Sequence, residues 1–443
     1  MRKRNLLVVA LAAPALLLTA CGDSADTTAT DTGTDAATED ATTDDAATEE
    51  ETTEEAAPAE EETAAPERDE NVDLVIWTDA DRAETVTKFA EEFGEENGVT
   101  TAVQIAVETR QQFREATEVG QGPDVTVGAH DWLGEFVQNG VVAPVNLSSD
   151  VQSLFAENAV AAASFDGQNY GVPYATENLA LIRNTDLAPD APATMADLVA
   201  AGESSGAEHV LIQPVGQTGN AYYTYPYLSA CGGGIFAQDD TGGYIAEEVI
   251  VNSPESIKGA EQMAALGAEG ILSTSIGDDN AEGLFTAGDA AFMISGPWAI
   301  PNIEEAGINY EVSPLPALEG CDAMKPFLGV QLFYVSSKAK NAALAQEFVA
   351  NYITREDVQL RFFEELGRTP ANLAALETAS AEDPIIEAFS AAGEGAAPMP
   401  NIPAMNSVWG PLGQAGADIV SGQDVTERFT AAQDEIVSAI AGG

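Results

Sequence analysis

From residue 72 onward, short apolar runs alternate with longer amphipathic stretches. Runs typical of buried strands lie at 73–77, 103–107, 124–127, 291–294 and 332–335. Apolar residues at helical spacing form two stripes, the first at Val86, Phe89, Ala90 and Phe93 and the second at Leu344, Ala345, Phe348, Val349 and Tyr352. Alternation of strand-like and helix-like patterns predicts an α/β architecture in which helices cover the sheets.

The first twenty residues follow a different pattern. Basic residues at positions 2–4 precede an apolar run over 6–20, and Cys21 comes directly after Leu18-Thr19-Ala20. The run is too short to cross about 30 Å of hydrocarbon, which takes about 20 residues. We therefore predict a signal peptide over residues 1–20, removed before a Cys21 that carries the lipid of a bacterial lipoprotein.

Residues 21–70 are predicted to be a spacer without a core. Between 22 and 70 there are nineteen acidic residues against one basic residue, Arg68, and the aliphatic side chains are alanines. Such a stretch cannot bury enough apolar surface to offset its conformational entropy, and its like charges favour an extended chain. The spacer would hold a folded domain, residues 71–443, away from a membrane surface.

Acidic residues dominate the composition. The chain has 73 acidic and 17 basic residues, a net charge of -56. A folded surface of this sign repels nucleic acid and anionic lipid, which we therefore exclude as partners of the folded domain.

Histidines and cysteines are scarce. His130, His209, Cys231 and Cys321 are all that follow Cys21, and they lack zinc-ligand spacing, so we expect neither a metal nor a cofactor. Outside the cell, an even pair of cysteines favours a disulfide between Cys231 and Cys321.

The sequence carries no evident catalytic motif. It has no Gly-x-Ser-x-Gly elbow, and the glycines at 232–234 lack the Lys and Ser/Thr of a phosphate loop. The aromatic residues are more informative, because Trp298 and Trp409 follow Pro-containing loops and three tyrosines lie within 222–225. Aromatic faces beside carboxylates are the chemistry that holds sugars, although ordinary core packing explains many such rings, and it is the interpretation we favour for Trp77.

Seven segments, in order, carry a family resemblance. They are LVIW at 74–77, GPD at 122–124 with AHD at 129–131, GVPYATE at 171–177, YYTYP at 222–226, SGPWA at 295–299, KPFLGV at 325–330 and MPNIP at 399–403. On these segments the chain resembles the maltose/maltodextrin-binding proteins of bacterial ABC importers along essentially all of residues 72–440.

The resemblance implies a two-lobed, type II periplasmic-binding-protein-like fold without catalysis. Both lobes would be discontinuous in sequence and hinged around a central ligand cleft. The N-terminal lobe would comprise about 71–176 and 331–380, and the C-terminal lobe about 177–330 and 381–443.

The resemblance also places the sugar contacts. Matching positions are Asp81, Arg82, Asp131, Glu177, Tyr222, Trp298, Met399 and Trp409, with Trp132, Asn220 and Tyr225 as weaker candidates.

Several positions depart from the family pattern. Gly128 replaces a Trp and Trp132 replaces an Arg, so an aromatic ring has moved along the loop. Asn220 replaces an acid, and Gly410 replaces a Tyr. The cluster at 108–111 has an altered charge order. These changes leave maltose, longer maltodextrins, trehalose and cyclic dextrins as compatible ligands.

The leading hypothesis is a monomeric, lipid-anchored receptor on the extracellular face of the cytoplasmic membrane of a Gram-positive type cell. It would capture α-glucosides and deliver them to the permease subunits of an ABC importer. A secreted glycosidase is an alternative that requires a positioned carboxylate pair with one raised pKa. A surface protein that feeds a chemoreceptor or acts in adhesion is the third class.

Overall fold

A computed structural model describes residues 64–239 and 243–442. The predicted signal peptide, Cys21 and most of the acidic spacer lie outside these residues. Within them, no helix has the length and hydropathy to cross a membrane.

The described chain contains two main sheets, two small hairpins and helices that cover the sheets. The strands are β1 (Leu74–Thr78), β2 (Thr101–Ile105), β3 (Val125–Ala129), β4 (Val142–Ala143), β5 (Ser164–Phe165), β6 (Gln168–Asn169), β7 (Gly171–Glu177), β8 (Ala180–Asn184), β9 (His209–Ile212), β10 (Phe236–Gln238), β11 (Tyr244–Val249), β12 (Ala290–Ser295), β13 (Tyr310–Ser313), β14 (Phe327–Ser336), β15 (Thr369–Pro370) and β16 (Ala397–Pro398). The helices are α1 (Ala80–Asn97), α2 (Thr109–Glu118), α3 (Leu133–Gln138), α4 (Ser149–Gln152), α5 (Glu157–Ala162), α6 (Met195–Ser205), α7 (Ala221–Ala230), α8 (Pro254–Ala268), α9 (Ala281–Thr286), α10 (Ile300–Glu305), α11 (Ala342–Glu347), α12 (Glu356–Leu366), α13 (Leu373–Glu382), α14 (Pro384–Ala392), α15 (Trp409–Val420) and α16 (Val425–Gly442).

The first lobe is built on the larger sheet. Its strands run in the order β15-β7-β14-β3-β1-β2, and β4 and β16 also pair with β14. Strand β1 is parallel to β2 and β3, whereas β14 is antiparallel to β3 and β7. The apolar stripe of α1 packs onto this sheet, with Val86, Phe89, Ala90 and Phe93 fully or almost fully buried.

The second lobe is built on a four-stranded sheet of order β13-β8-β12-β9. Strand β12 is parallel to β9 and antiparallel to β8. Its core includes side chains from α7, α8, α15 and α16, which are distant from one another in sequence. The predicted α/β, two-lobed and discontinuous fold is thus confirmed.

The chain passes between the lobes at several points. Strand β7 ends at Glu177 in the first sheet, and β8 begins at Ala180 in the second. Strand β14 starts at Phe327, which packs in the core of the second lobe, and continues through Val335, which packs in the core of the first. The cleft between the sheets is therefore bounded by short, ordered connections.

Two sequence-based boundaries differ from the structure. The strand predicted at 103–107 ends at Ile105, and Val107 is 64% exposed, because the chain turns there toward α2. Arg68, assigned to the spacer, has a buried guanidinium whose Nη2 lies 2.6 Å from Asp124 Oδ2. The folded region therefore begins a few residues before position 71.

Candidate ligand-binding cleft

A cavity of about 570 Å³ lies between the two lobes. Several of its lining residues lie at or just after the ends of strands of the two sheets, which is where ligands of α/β proteins usually bind. Asp81 lies in the first turn of α1 after β1, Asp131 follows β3, Glu177 ends β7 and Trp298 follows β12.

Ten of the eleven predicted ligand residues line this cavity: Asp81, Arg82, Asp131, Trp132, Glu177, Asn220, Tyr222, Trp298, Met399 and Trp409. Tyr225 does not. Its ring stacks on Phe327 in the core of the second lobe, with centroids 3.5 Å apart and planes inclined by 9°. The tyrosine cluster at 222–225 is thus divided by its helix, which turns Tyr222 toward the cleft and Tyr225 toward the core.

Asp131 joins the two lobes. Trp409 of the second lobe donates its indole Nε1–H to Asp131 Oδ2 at 3.1 Å. Arg110 of the first lobe donates to the same oxygen at 3.4 Å, and Glu135 holds Arg110 Nε at 2.6 Å. The carboxylate and the indole thus orient each other across the cleft.

A buried polar network surrounds Glu177. Its Oε1 accepts a hydrogen bond from Gln331 at 2.7 Å, and its Oε2 pairs with Arg368. Gln331 Oε1 in turn accepts from Arg82 at 3.0 Å. The remaining groups of Arg82 bond to the Tyr174 hydroxyl, at 2.7 Å, and to Asp79.

The network defines the surroundings of two cleft arginines, Arg82 and Arg368. The Arg82 guanidinium, expected to contact ligand, is committed to first-lobe partners, and its burial lowers the pKa of Arg82. Arg368, which was not among the predicted ligand residues, lines the cavity and places its guanidinium 5.8 Å from the centroid of the Trp298 ring. Burial is the largest single influence and lowers the pKa of Arg368, but Glu177, Tyr174 and Asp81 together outweigh burial, so the pKa of Arg368 is raised.

Glycines make room for two of the cleft tryptophans. A Cβ on Gly128 would lie 1.8 Å from Trp132 Cζ3, and a Cβ on Gly296 would lie 2.0 Å from Trp298 Cζ3. Each indole thus covers a glycine at the end of the preceding strand. The aromatic ring that moved from position 128 to 132 therefore fills the space above position 128.

Tyr222 offers an unpaired polar group. Its hydroxyl is buried and has no hydrogen-bond partner among the described residues. Burial, reinforced by the charge of Glu177, raises the pKa of Tyr222 well above its ordinary value. Asn220 supports this tyrosine as the N-cap of α7, since its Oδ1 accepts from Tyr222 N–H at 3.1 Å.

Further acids line the second-lobe wall of the cavity. Asp278 and Glu282 were not among the predicted ligand residues; Asp278 accepts a hydrogen bond from Asn220, and Glu282 accepts one from Asn302. Burial raises the pKa of Glu282. Across the cavity, the side-chain carboxylate of Asp81 makes no hydrogen bond or ion pair with the described residues. No motif marks Asp278, Glu282 or Arg368, because they reach the cleft from elements that are separate in sequence.

Cys231, at the end of α7, and Cys321, in the loop before β14, are joined by a disulfide on the second lobe. Among the described residues, no group of three or more His, Cys, Asp or Glu side chains is arranged to hold a metal ion.

Comparison with known proteins agrees with this architecture. The family model for bacterial extracellular solute-binding proteins matches residues 88–388, and the chain belongs to this family.

Individual relatives span most of the chain. A galactooligosaccharide-binding protein of Bacillus subtilis is 29% identical over 372 residues, covering 82% of this chain and 87% of the relative. A maltotriose-binding protein of Pyrococcus abyssi is 30% identical over 325 residues, covering 70% and 69%. A maltooligosaccharide ABC transporter solute-binding lipoprotein of Streptococcus pneumoniae is 26% identical over 375 residues, covering 82% and 87%.

The packing of Trp132 over Gly128 and of Trp298 over Gly296 can be tested by substitution of the glycines. Gly128→Ala and Gly296→Ala should each lower the free energy of unfolding by about 1–3 kcal/mol, because the added methyl group overlaps an indole. Urea unfolding followed by tryptophan fluorescence measures the change. Gly283→Ala is the control, because this helical glycine has open space around its Cβ position and the substitution should stabilise by about 0.5–1 kcal/mol. Wild-type stability in both test variants would contradict the packing described here.

Proposed function

We propose that this protein is a non-catalytic receptor that captures maltodextrin-type oligosaccharides and delivers them to an ABC importer. The observation that carries the proposal is the interlobe cleft, where Trp132, Trp298 and Trp409 present half-buried rings beside carboxylates. A pyranose packs its apolar C–H face on such rings and directs its hydroxyls to charged acceptors.

Some polar groups of the cleft are paired within the protein and others are left unpaired, and this arrangement fits a neutral, hydroxyl-rich ligand. Arg82 and Glu177 are tied to first-lobe partners, so they shape the floor of the cleft. The unpaired Tyr222 hydroxyl and the Asp81 carboxylate remain to bond the ligand. A micromolar affinity corresponds to about -8 kcal/mol, which a few stacked rings and charged hydrogen bonds can supply.

Ligand capture would be coupled to lobe closure. Trp132 and Asp81 belong to the first lobe, whereas Tyr222, Trp298 and Trp409 belong to the second. A sugar held by both sets binds the closed state more tightly than the open state, and this difference shifts the population toward closure.

The N-terminal segment would determine where the protein is located. A lipid on Cys21 and the acidic spacer would tether a monomeric receptor at the extracellular face of the membrane, near the permease subunits of its importer, at raised local concentration. The pneumococcal relative, named as an ABC transporter solute-binding lipoprotein, supports both parts of this proposal.

A ligand panel tests the substrate class. Maltose, maltotriose, longer maltodextrins, trehalose, a cyclodextrin and a galactooligosaccharide are added to the purified protein in thermal-shift and calorimetric measurements. At equal concentration, the sugar with the lowest Kd raises the melting temperature most, and a ligand at 100 times its Kd stabilises the folded state by about 2.7 kcal/mol. We expect the linear α-glucosides to show this largest shift. Binding of the galactooligosaccharide alone would overturn the maltodextrin assignment, and hydrolysis of any sugar would favour the glycosidase.

The cleft tryptophans should carry binding energy. Trp298→Ala and Trp409→Ala should each weaken oligosaccharide binding by about 1–3 kcal/mol in calorimetry, because each removes a stacking face. Trp298→Phe and Trp409→Phe are the matched controls and should lose less, since a smaller ring remains. Unchanged affinity in both alanine variants would place the sugar outside this cleft.

The anchor has its own test. Replacing Cys21 by Ser should move the protein from the membrane fraction of its host to the medium, because the residue that carries the lipid is gone. Cys231→Ser, which leaves Cys21 in place, is the control for cysteine loss. Retention of the Cys21→Ser protein at the membrane would contradict lipid anchoring while leaving the binding proposal intact.

A further inference from the structure

His130 is a buried histidine directly before the cleft residues Asp131 and Trp132. Only 1% of its surface is exposed, and it begins the single 3-10 turn that links β3 to α3. Its imidazole does not line the cavity. A direct role in holding the ligand therefore does not account for it.

Both ring nitrogens bond to backbone outside this turn. The Val330 N–H, in the strand β14 that the two lobes share, donates to Nδ1 at 3.1 Å. Nε2 lies 3.0 Å from the carbonyl oxygen of Met399. Nδ1 accepts a hydrogen bond from an N–H, so it carries no proton, and Nε2 faces a carbonyl oxygen, so it must donate. The ring is therefore neutral, with its proton on Nε2.

The Met399 end of this bridge is itself part of the cleft. Met399 lines the cavity, and its N–H donates to the Leu328 carbonyl of β14 at 3.2 Å. The residues after Met399 pack against α3, the helix that follows this turn, because a Cβ on Gly134 would lie 2.5 Å from the Asn401 carbonyl oxygen. The imidazole thus joins three pieces of chain that meet behind the cleft.

We propose that His130 is a positioning residue, which sets the ligand-binding geometry of Asp131, Trp132 and Met399 by bridging their turn and segment to β14. This inference rests on the proposed function, because the consequence it describes is sugar affinity. The neutral Nε2–H imidazole is the form that makes both bonds at once.

Protonation breaks the bridge. A proton on Nδ1 would face the Val330 N–H, and two donors cannot bond each other. The charges near the ring are those of Asp131 and Glu177, which favour protonation, but burial outweighs them and the pKa of His130 is lowered. The contribution of the bridge is therefore complete above the ordinary histidine pKa of about 6.5 and is lost as pH falls through the lower pKa of the folded state.

Three substitutions separate the two bonds. His130→Asn places an amide oxygen near the Nδ1 position, where it can accept from Val330. His130→Gln places an amide N–H near the Nε2 position, where it can donate to Met399. His130→Ala removes both bonds and should weaken oligosaccharide affinity on the order of tenfold, with smaller losses in the Asn and Gln variants.

The pH profile distinguishes positioning by a neutral imidazole from a purely structural role. We expect the affinity ratio of wild type to His130→Gln to be constant above about pH 6.5 and to shrink as pH falls through the lowered pKa of His130, because only the wild type loses its bridge by protonation. Glu282, whose pKa is raised, titrates in both proteins, so its effect on affinity cancels in the ratio of wild type to His130→Gln. Wild-type affinity in all three variants at pH 7, or a ratio that stays constant down to a pH at which NMR shows the His130 ring to be protonated, overturns the inference.

The only other histidine provides the control. His209 begins β9 and does not line the cavity, so His209→Gln should keep the wild-type affinity and pH profile. In that variant His130 is the sole imidazole, and nitrogen NMR should show a neutral ring protonated at Nε2 at pH 7. A ring protonated at Nδ1 overturns the inference whether or not His130→Ala folds.

The outcomes also separate this inference from the proposed function. Wild-type protein that binds no sugar of the panel would contradict the function, and the NMR result would still report the state of the bridge. Wild-type binding with no effect of the His130 variants would contradict the inference alone.

Discussion

Strand β14 is the constraint on which the rest of the structure depends. Its first residue, Phe327, packs among aromatic side chains of the second lobe, whereas its later residues lie at the centre of the first sheet between β7 and β3. A strand paired on both sides cannot shift without breaking two ladders of hydrogen bonds. The groups bonded to its middle therefore stand in a fixed frame beside the cleft: Arg82 and Glu177 bond to the Gln331 side chain, and His130 accepts from the Val330 N–H.

In the cleft beside this strand, the paired charged side chains and the aromatic faces occupy different places. Charged groups near its floor, including Arg82, Glu177 and Arg368, satisfy one another in a network that keeps buried charges paired. Broad aromatic faces stand on both lobes, and few polar groups are left unpaired. Under the proposed function, such a surface would distinguish a sugar by its stacking face and by the direction of its hydroxyls.

Much of the site could be predicted from sequence, because its residues lie in short segments around strand ends. Asp131 and Trp298 lie in two of the segments that carry the family resemblance, at 129–131 and 295–299, and the resemblance located them. The approach fails where a residue's role depends on its neighbours in space. Arg82 lines the cavity as expected, but its bonds to Tyr174, Gln331 and Asp79 are visible only in the structure, and Arg368 carried no local signal.

The sequence by itself determined the α/β class, the apolar faces of helices such as α1 and the kinds of side chain available for binding. These properties follow from periodicity and composition, which are local. Only the tertiary structure decided that Tyr222 faces the cleft while Tyr225 packs on Phe327, and that Trp132 occupies the space above Gly128. Those outcomes depend on packing between segments that are far apart in the chain, and no local pattern records which surfaces will meet.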